Sequence, residues 1–131
     1  MKTMVTAIIG TDRYRTEITI ENKSFAADEP GELGGADTAP SPPEYLMSAL
    51  ASCTAITLRM YADRKKLAVN KIKVQVSYSK EEFKSLFTVE VSYEGKLEAE
   101  QEKRFLDIAK MCPVHKILNS PIEIETKLAI Y

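Results

Sequence analysis

Apolar and polar positions alternate at period two near the start of the chain. Lys2 to Ile9 forms one run, Gly10-Thr11-Asp12 interrupts it, and Tyr14 to Glu21 forms a second. In the second run Tyr14, Thr16, Ile18 and Ile20 share one side, with Arg15, Glu17, Thr19 and Glu21 opposite, which predicts a β-hairpin with one wet face. A weakly marked third strand is expected at Ser24-Phe25-Ala26. From Asp28 to Ser41 the alternation gives way to Pro, Gly, Asp and Glu around Gly34-Gly35. A loop this long is unusual in a small domain; substrate access, a dimer contact or a disordered excursion would each account for it.

Pro42-Pro43-Glu44 then opens a long helix, with Ser41 as its cap, prolines in its first turn and Glu44 against its positive end. Leu46, Leu50, Cys53, Thr57 and Met60 recur at helical spacing and predict its buried stripe, and Arg59, Asp63, Arg64, Lys65 and Lys66 make the far end polar. The helix is expected to stop near Leu67. Two alternating runs follow, Val69 to Ser79 and Phe83 to Glu94, joined by polar Lys80-Glu81-Glu82 as an antiparallel pair. A second helix is expected from Leu97 through Met111, its stripe of Phe105, Ile108 and Ala109 ending on Cys112. Pro113 breaks it and opens a short helix through Asn119, and the alternation from Pro121 to Ile130 predicts a closing strand. Hairpins interleaved with helices argue for an α+β fold, without internal repeats.

Composition narrows the function classes. At 131 residues the chain is expected to form a single domain, residues 1–131. Eighteen basic residues against nineteen acidic ones leave a net charge of -1, with no basic face to hold nucleic acid. The apolar stretch from Leu46 to Leu58 is too short and too interrupted to span a bilayer, and the first residues lack a signal peptide's apolar core. A cytoplasmic protein is therefore expected, where a transient catalytic disulfide is allowed and a persistent structural one is not.

The two cysteines carry the candidate chemistry. Fifty-nine positions separate Cys53 from Cys112, too far for a CxxC motif, and with one histidine and scattered carboxylates they offer no recognisable metal-ligand spacing. Either they meet in three dimensions as a reacting and a resolving thiol, or they are two small hydrophobes in a core. With Pro113 as first helical residue, Cys112 becomes an N-cap, where free amides favour a thiolate; the end of the preceding helix acts the other way. Cys53 lies mid-helix and needs a donor or cation from elsewhere. Glu44, nine residues earlier, falls on the opposite side of a straight helix, roughly 13 Å away along its axis. It reaches Cys53 only if the helix is broken or if it arrives from a second chain; otherwise it is a first-turn dipole residue. Arg13 and Arg15 flank the second strand, and either guanidinium suits a thiolate and a carboxylate together, the alternative being solvated strand-edge charge. His115 is a candidate general base or an exposed surface histidine.

The Pro42-Pro43-Glu44 start of a helix ending in Ala51-Ser52-Cys53-Thr54, the Met111-Cys112-Pro113-Val114 segment and the element order resemble the OsmC/Ohr family. These are the osmotically inducible and organic-hydroperoxide-resistance proteins, and the two cysteine segments look most like the general OsmC-like branch. The resemblance implies an intertwined homodimer in which antiparallel sheets wrap long central helices, with active sites at the subunit interface. It implies a cofactor-free, thiol-dependent peroxidase in which Cys53 attacks an organic hydroperoxide and becomes a sulfenic acid. Cys112 would condense with it to a disulfide that a dithiol then reduces. Glu44 would be the site's carboxylate and Arg13, preferred over Arg15 for its place at the hairpin, the thiolate's partner. Glu44 stands nine residues before Cys53, one fewer than in the hydroperoxide-resistance members. The competing reading is a dimeric redox-sensing or ligand-binding module without efficient turnover, which a thiol lacking a nearby cation would favour.

Overall fold

The computed structural model describes residues 3–130, so the predicted start of the first strand at Lys2 lies outside the described residues. The fold is α+β with antiparallel sheets, in the order β1 (Thr6–Ile8), β2 (Thr16–Ile20), β3 (Lys23–Ala27), α1 (Pro42–Lys65), β4 (Ala68–Lys80), β5 (Ser85–Lys96), α2 (Ala99–Ala109) and α3 (Pro113–Leu118). Two compact units divide between Met47 and Ser48, inside α1.

The first unit is built on the antiparallel sheet β1-β2-β3. Thr16, Ile18 and Ile20 are partly buried while Glu17 and Thr19 are exposed, as the alternation requires. The loop after β3 is ordered, and a buried carboxylate orders it. Asp28 (1% exposed) accepts from the amides of Tyr14, Glu29 and Thr38 at 3.2, 2.7 and 3.0 Å and from the Thr38 hydroxyl at 2.6 Å. Its own amide bonds Pro40 O at 3.1 Å, so the loop's two ends are tied together. Inside, Gly34 takes a φ of 92° to close a single 3₁₀ turn, Gly31–Leu33. Tyr45 anchors the first turns of α1 by donating to Ala26 O at 2.6 Å and packing its ring 5.3 Å from Phe25.

The second unit holds the main core: Leu58, Tyr61 and Ala62 of α1, Val69 of β4, and Phe105, Ile108 and Ala109 of α2. The buried face of α1 differs from the predicted stripe. Leu50, Thr54, Leu58, Tyr61 and Ala62 point inward, whereas Ile56 (54% exposed) and Met60 (63%) face outward. Apolar side chains lie on more than one side of α1, so periodicity alone does not say which side the chain covers. The stripe of α2 is as expected, ending on buried Cys112. Glu98 and Gln101 close a reciprocal capping box at its start.

β4 and β5 pair antiparallel over nearly their full length, with one irregularity between Val69 and Lys71. Opposite it sits Gly95 (φ 148°), where a methyl group would collide with the Ala68 carbonyl oxygen. Ile72, Val91 and Tyr93 pack on the core, while Val74, Val76, Phe87 and Val89 continue the same face away from it, partly exposed. The predicted closing strand is not formed: residues 121–130 pair with no strand among the described residues, and Ile122, Ile124, Leu128 and Ile130 stay exposed. Alternation marks a segment suited to a sheet, but a strand exists only where a neighbour completes its ladder. Among the described residues no helix is long and apolar enough to cross a membrane.

Candidate active site

Helix α2 cannot run on into α3, because Pro113 has no amide to donate. The chain turns extended at Cys112 (φ −63°, ψ 139°), which becomes the N-cap of α3. Its Sγ accepts from the His115 amide at 3.2 Å, and the Thr54 hydroxyl of α1 lies 3.7 Å from it. Cys53, on the turn of α1 beside Thr54, is partly exposed, whereas Cys112 is 0% exposed. The two side chains lie close enough to act on each other's ionisation, and both thiols are free. The structure thus brings together the two cysteines that the sequence leaves as either partners or separate core residues.

Their surroundings polarise the pair. Burial pushes the Cys112 thiol up, but the His115 amide, the Cys53 thiol, the Thr54 hydroxyl and the Val114 amide outweigh it and leave Cys112 below the ordinary thiol value. Burial pushes Cys53 up, and Cys112 as hydrogen-bond partner and neighbouring charge pushes the same way, against the Val114 amide and the Thr57 hydroxyl. The two thiols are thus shifted in opposite directions, Cys112 down and Cys53 up. The opposing helix ends are resolved in favour of α3, whose amides reach the sulfur directly.

Glu44 caps its own helix. Its Oε1 accepts from the amide and the hydroxyl of Ser41 at 2.9 and 3.0 Å, which holds the carboxyl below its ordinary pKa, the amide acting most. Ser41, just before α1, thus engages Glu44 through its own two donors. Since α1 is unbroken over Pro42–Lys65, the broken-helix route from Glu44 to Cys53 is closed. Arg15 is engaged, with Nε on Glu17 at 3.0 Å and Nη1 on the Thr38 hydroxyl at 3.0 Å. Arg13, on the β1–β2 connection, is exposed and makes no hydrogen bond or ion pair among the described residues. The ring of His115 faces Asn119, with Nδ1 to Nδ2 at 3.4 Å, so this residue serves Cys112 through its amide. No cluster able to hold a metal ion is present among the described residues.

The sequence pattern of the OsmC-like protein family matches residues 34–127, which includes both cysteines and Glu44. The chain belongs to that family.

Solved structures agree on the fold of this OsmC-like protein. An OsmC-like protein from Mycoplasma pneumoniae superposes with a TM-score of 0.76 at 22% identity, over 90% of this chain and 87% of that one. The organic hydroperoxide resistance protein OhrB of Bacillus subtilis gives 0.62 at 23% identity, over 91% of each chain. An organic hydroperoxide resistance protein from Elizabethkingia anophelis gives 0.63 at 20%, over 94% and 91%. No curated protein matches the sequence.

Four contributors to this OsmC-like site were given no part in it from the sequence. Thr54 and Thr57 read as ordinary helix residues, although Thr54 lies one turn from Leu50 on the same side of α1, a position where a hydroxyl is buried and must find partners. The amides of Val114 and His115 leave no mark in residue type at all; Pro113 after a cysteine is their signal, because it forces a new helix start there.

Proposed function

We propose that this OsmC-like protein is a thiol-dependent peroxidase that reduces organic hydroperoxides through a Cys53 sulfenate and a Cys53–Cys112 disulfide. The observation that carries this reading is two free thiols brought side by side where Thr54 of α1 meets Cys112, one open enough to meet a substrate and one sealed from solvent. A sulfenic acid formed on Cys53 has its resolving thiol already beside it, which favours disulfide capture over further oxidation. The fold is shared with proteins named for organic hydroperoxide resistance, which fits the substrate class. A dithiol would reopen the disulfide in a reducing cytoplasm.

The chain acts as one domain, 1–131, in a homodimer. The outward Ile56 and Met60 of α1, the partly exposed stretch of the apolar face of β4 and β5 beyond the core, and the unpaired alternating segment after Ser120 are surfaces that a second copy would cover. In that assembly Glu44 comes from the partner subunit, and Arg13, free of partners among the described residues, supplies the guanidinium.

The test is to mix reduced protein with one equivalent of cumene hydroperoxide, with hydrogen peroxide in parallel, and follow intact and peptide masses. Rapid loss of two hydrogens at a Cys53–Cys112 disulfide, faster with the organic peroxide and absent in Cys53→Ser, is the expected result. An unchanged mass would turn attention to the second reading, a redox-sensing or ligand-binding module. One observation favours that second reading: Cys53 is held above the ordinary thiol value.

A further inference from the structure

We propose that a cleft in the first unit receives the organic group of the hydroperoxide, and that Glu29 and Asp28 make it select uncharged hydroperoxides over those carrying a carboxylate. This deepens the peroxidase reading and rests on it for the reaction. The cleft lies beside the end of β1, the end of β3 and the start of α1, wholly within the unit that ends at Met47. Its volume is about 380 Å³, near the lower end of the range for small-molecule sites, which suits an aryl or short alkyl group. Ile9, Ala27, Pro42 and the ring of Tyr14 give it apolar walls.

The walls are held in place before a ligand arrives. The Tyr14 amide donates to Asp28 at 3.2 Å, and the Tyr14 carbonyl accepts from the Thr16 hydroxyl at 3.1 Å. The Tyr14 ring lies over Gly34, where a β-carbon would stand 3.4 Å from it. On the other side the Glu29 amide donates to Asp28 at 2.7 Å, and the Glu29 carbonyl accepts from the Asp37 amide at 3.0 Å. A site formed in advance has little ordering to do on binding.

The cleft's place in the chain connects it to the reaction. Tyr14 directly follows Arg13, and Pro42 stands two residues before Glu44. The two groups that the proposed homodimer brings to a second copy's Cys53 are thus neighbours of cleft-lining residues. The peroxide end of a substrate then meets the thiol while its organic end stays in the cleft. The charge of the lining decides which organic ends are admitted. Asp28 and Glu29 both line the cleft, neither is in an ion pair among the described residues, and no basic side chain joins them there. Asp28 is 1% exposed, so solvent screens its charge weakly. An uncharged aryl group leaves the hydrogen bonds of Asp28 intact, whereas a carboxylate meets two like charges in a lining without a cation.

The experiment compares cumene hydroperoxide with its para-carboxylated analogue, which differ by one anionic group, as substrates of wild type, Glu29→Gln, Glu29→Lys and Ile9→Trp. Both Glu29 variants keep that residue's backbone bonds. In wild type the carboxylated substrate should show a kcat/KM about tenfold lower, carried by KM, with the gap shrinking as salt is added. Glu29→Gln should narrow the gap, and Glu29→Lys should close or reverse it. Ile9→Trp, which fills the cleft from an exposed position, should raise KM for both substrates. Occupancy is read separately. Cumyl alcohol, the product, should shift the methyl resonances of Ile9 and Ala27, and its para-carboxylate should not. Equal kcat/KM for the two substrates, a gap that neither Glu29 variant changes, or methyl resonances unmoved by the alcohol would overturn the proposal. If wild type consumes neither hydroperoxide, the peroxidase reading falls and the methyl shifts decide the cleft: alcohol bound in preference to its carboxylate supports the selection, equal or absent binding overturns it.

Discussion

At the scale of single residues, this OsmC-like protein is ordered by polar side chains placed where solvent is excluded. Asp28 gathers four donors from three separate stretches of its unit, and the Thr38 hydroxyl that bonds it is itself held by Arg15. The Thr38 hydroxyl and amide lower the Asp28 pKa most, burial opposes them, and the Glu29 and Tyr14 amides add to the lowering. The sign follows from the direction. The carboxylate's contribution is complete above its ordinary value of 3.8 and is lost as pH falls through the depressed native pKa. Hydrogen exchange at the Thr38 and Glu29 amides should accelerate as pH falls below that value, beyond the intrinsic trend. Asp28→Asn, which replaces an acceptor oxygen by a donor, should show fast exchange there already at neutral pH and lose the acid dependence. The loop's composition suggests flexibility; one aspartate decides otherwise, and an aspartate in a polar loop carries no mark of that role.

At the scale of elements, boundaries follow local chemistry more closely than apolar faces do. Pro42 and Pro113 start helices where the sequence predicts, and Cys112 caps α3 as the proline implies. The far end of α1 is closed by a paired set of bonds, Lys66 N to Asp63 O at 3.2 Å and Leu67 N to Ala62 O at 2.9 Å, with Lys66 left-handed at φ 55°. A lysine is costly in that conformation, and glycine is at home there. Lys66→Gly should therefore stabilise the protein by about 0.5–1 kcal/mol, read as a shift of the urea midpoint with unchanged slope. The inward side of α1 was not legible in the same way. Leu46, Ile56 and Met60 are as apolar as Leu50 and Leu58, and only the position of α2 and β4 in the second unit selects Leu58 over Met60.

At the scale of the whole molecule, the unfinished surface is the informative one. Residues 121–130 alternate as a strand should and yet pair with nothing among the described residues, while their apolar side chains stay exposed. Such a segment is a template for pairing with another chain. Removal of residues 121–131 should convert a dimer to monomer in sedimentation, with the core of Leu58, Tyr61 and Phe105 retained by circular dichroism. A truncated chain that remains dimeric would place the interface on α1 and the uncovered apolar stretch of β4 and β5 instead.

The sequence by itself determined the α+β class, the order of elements, the helix starts at proline and the candidate pair of thiols. Each of these is written in short-range pattern or in residue type. Tertiary structure alone decided that Cys53 and Cys112 come together, that their thiols are shifted in opposite directions, that Asp28 orders the loop and that the last alternating segment has no strand to join among the described residues. These depend on which distant backbone and side-chain groups arrive at a given atom. Hydrogen bonds and burial act over a few ångströms in space, however many residues separate the groups along the chain.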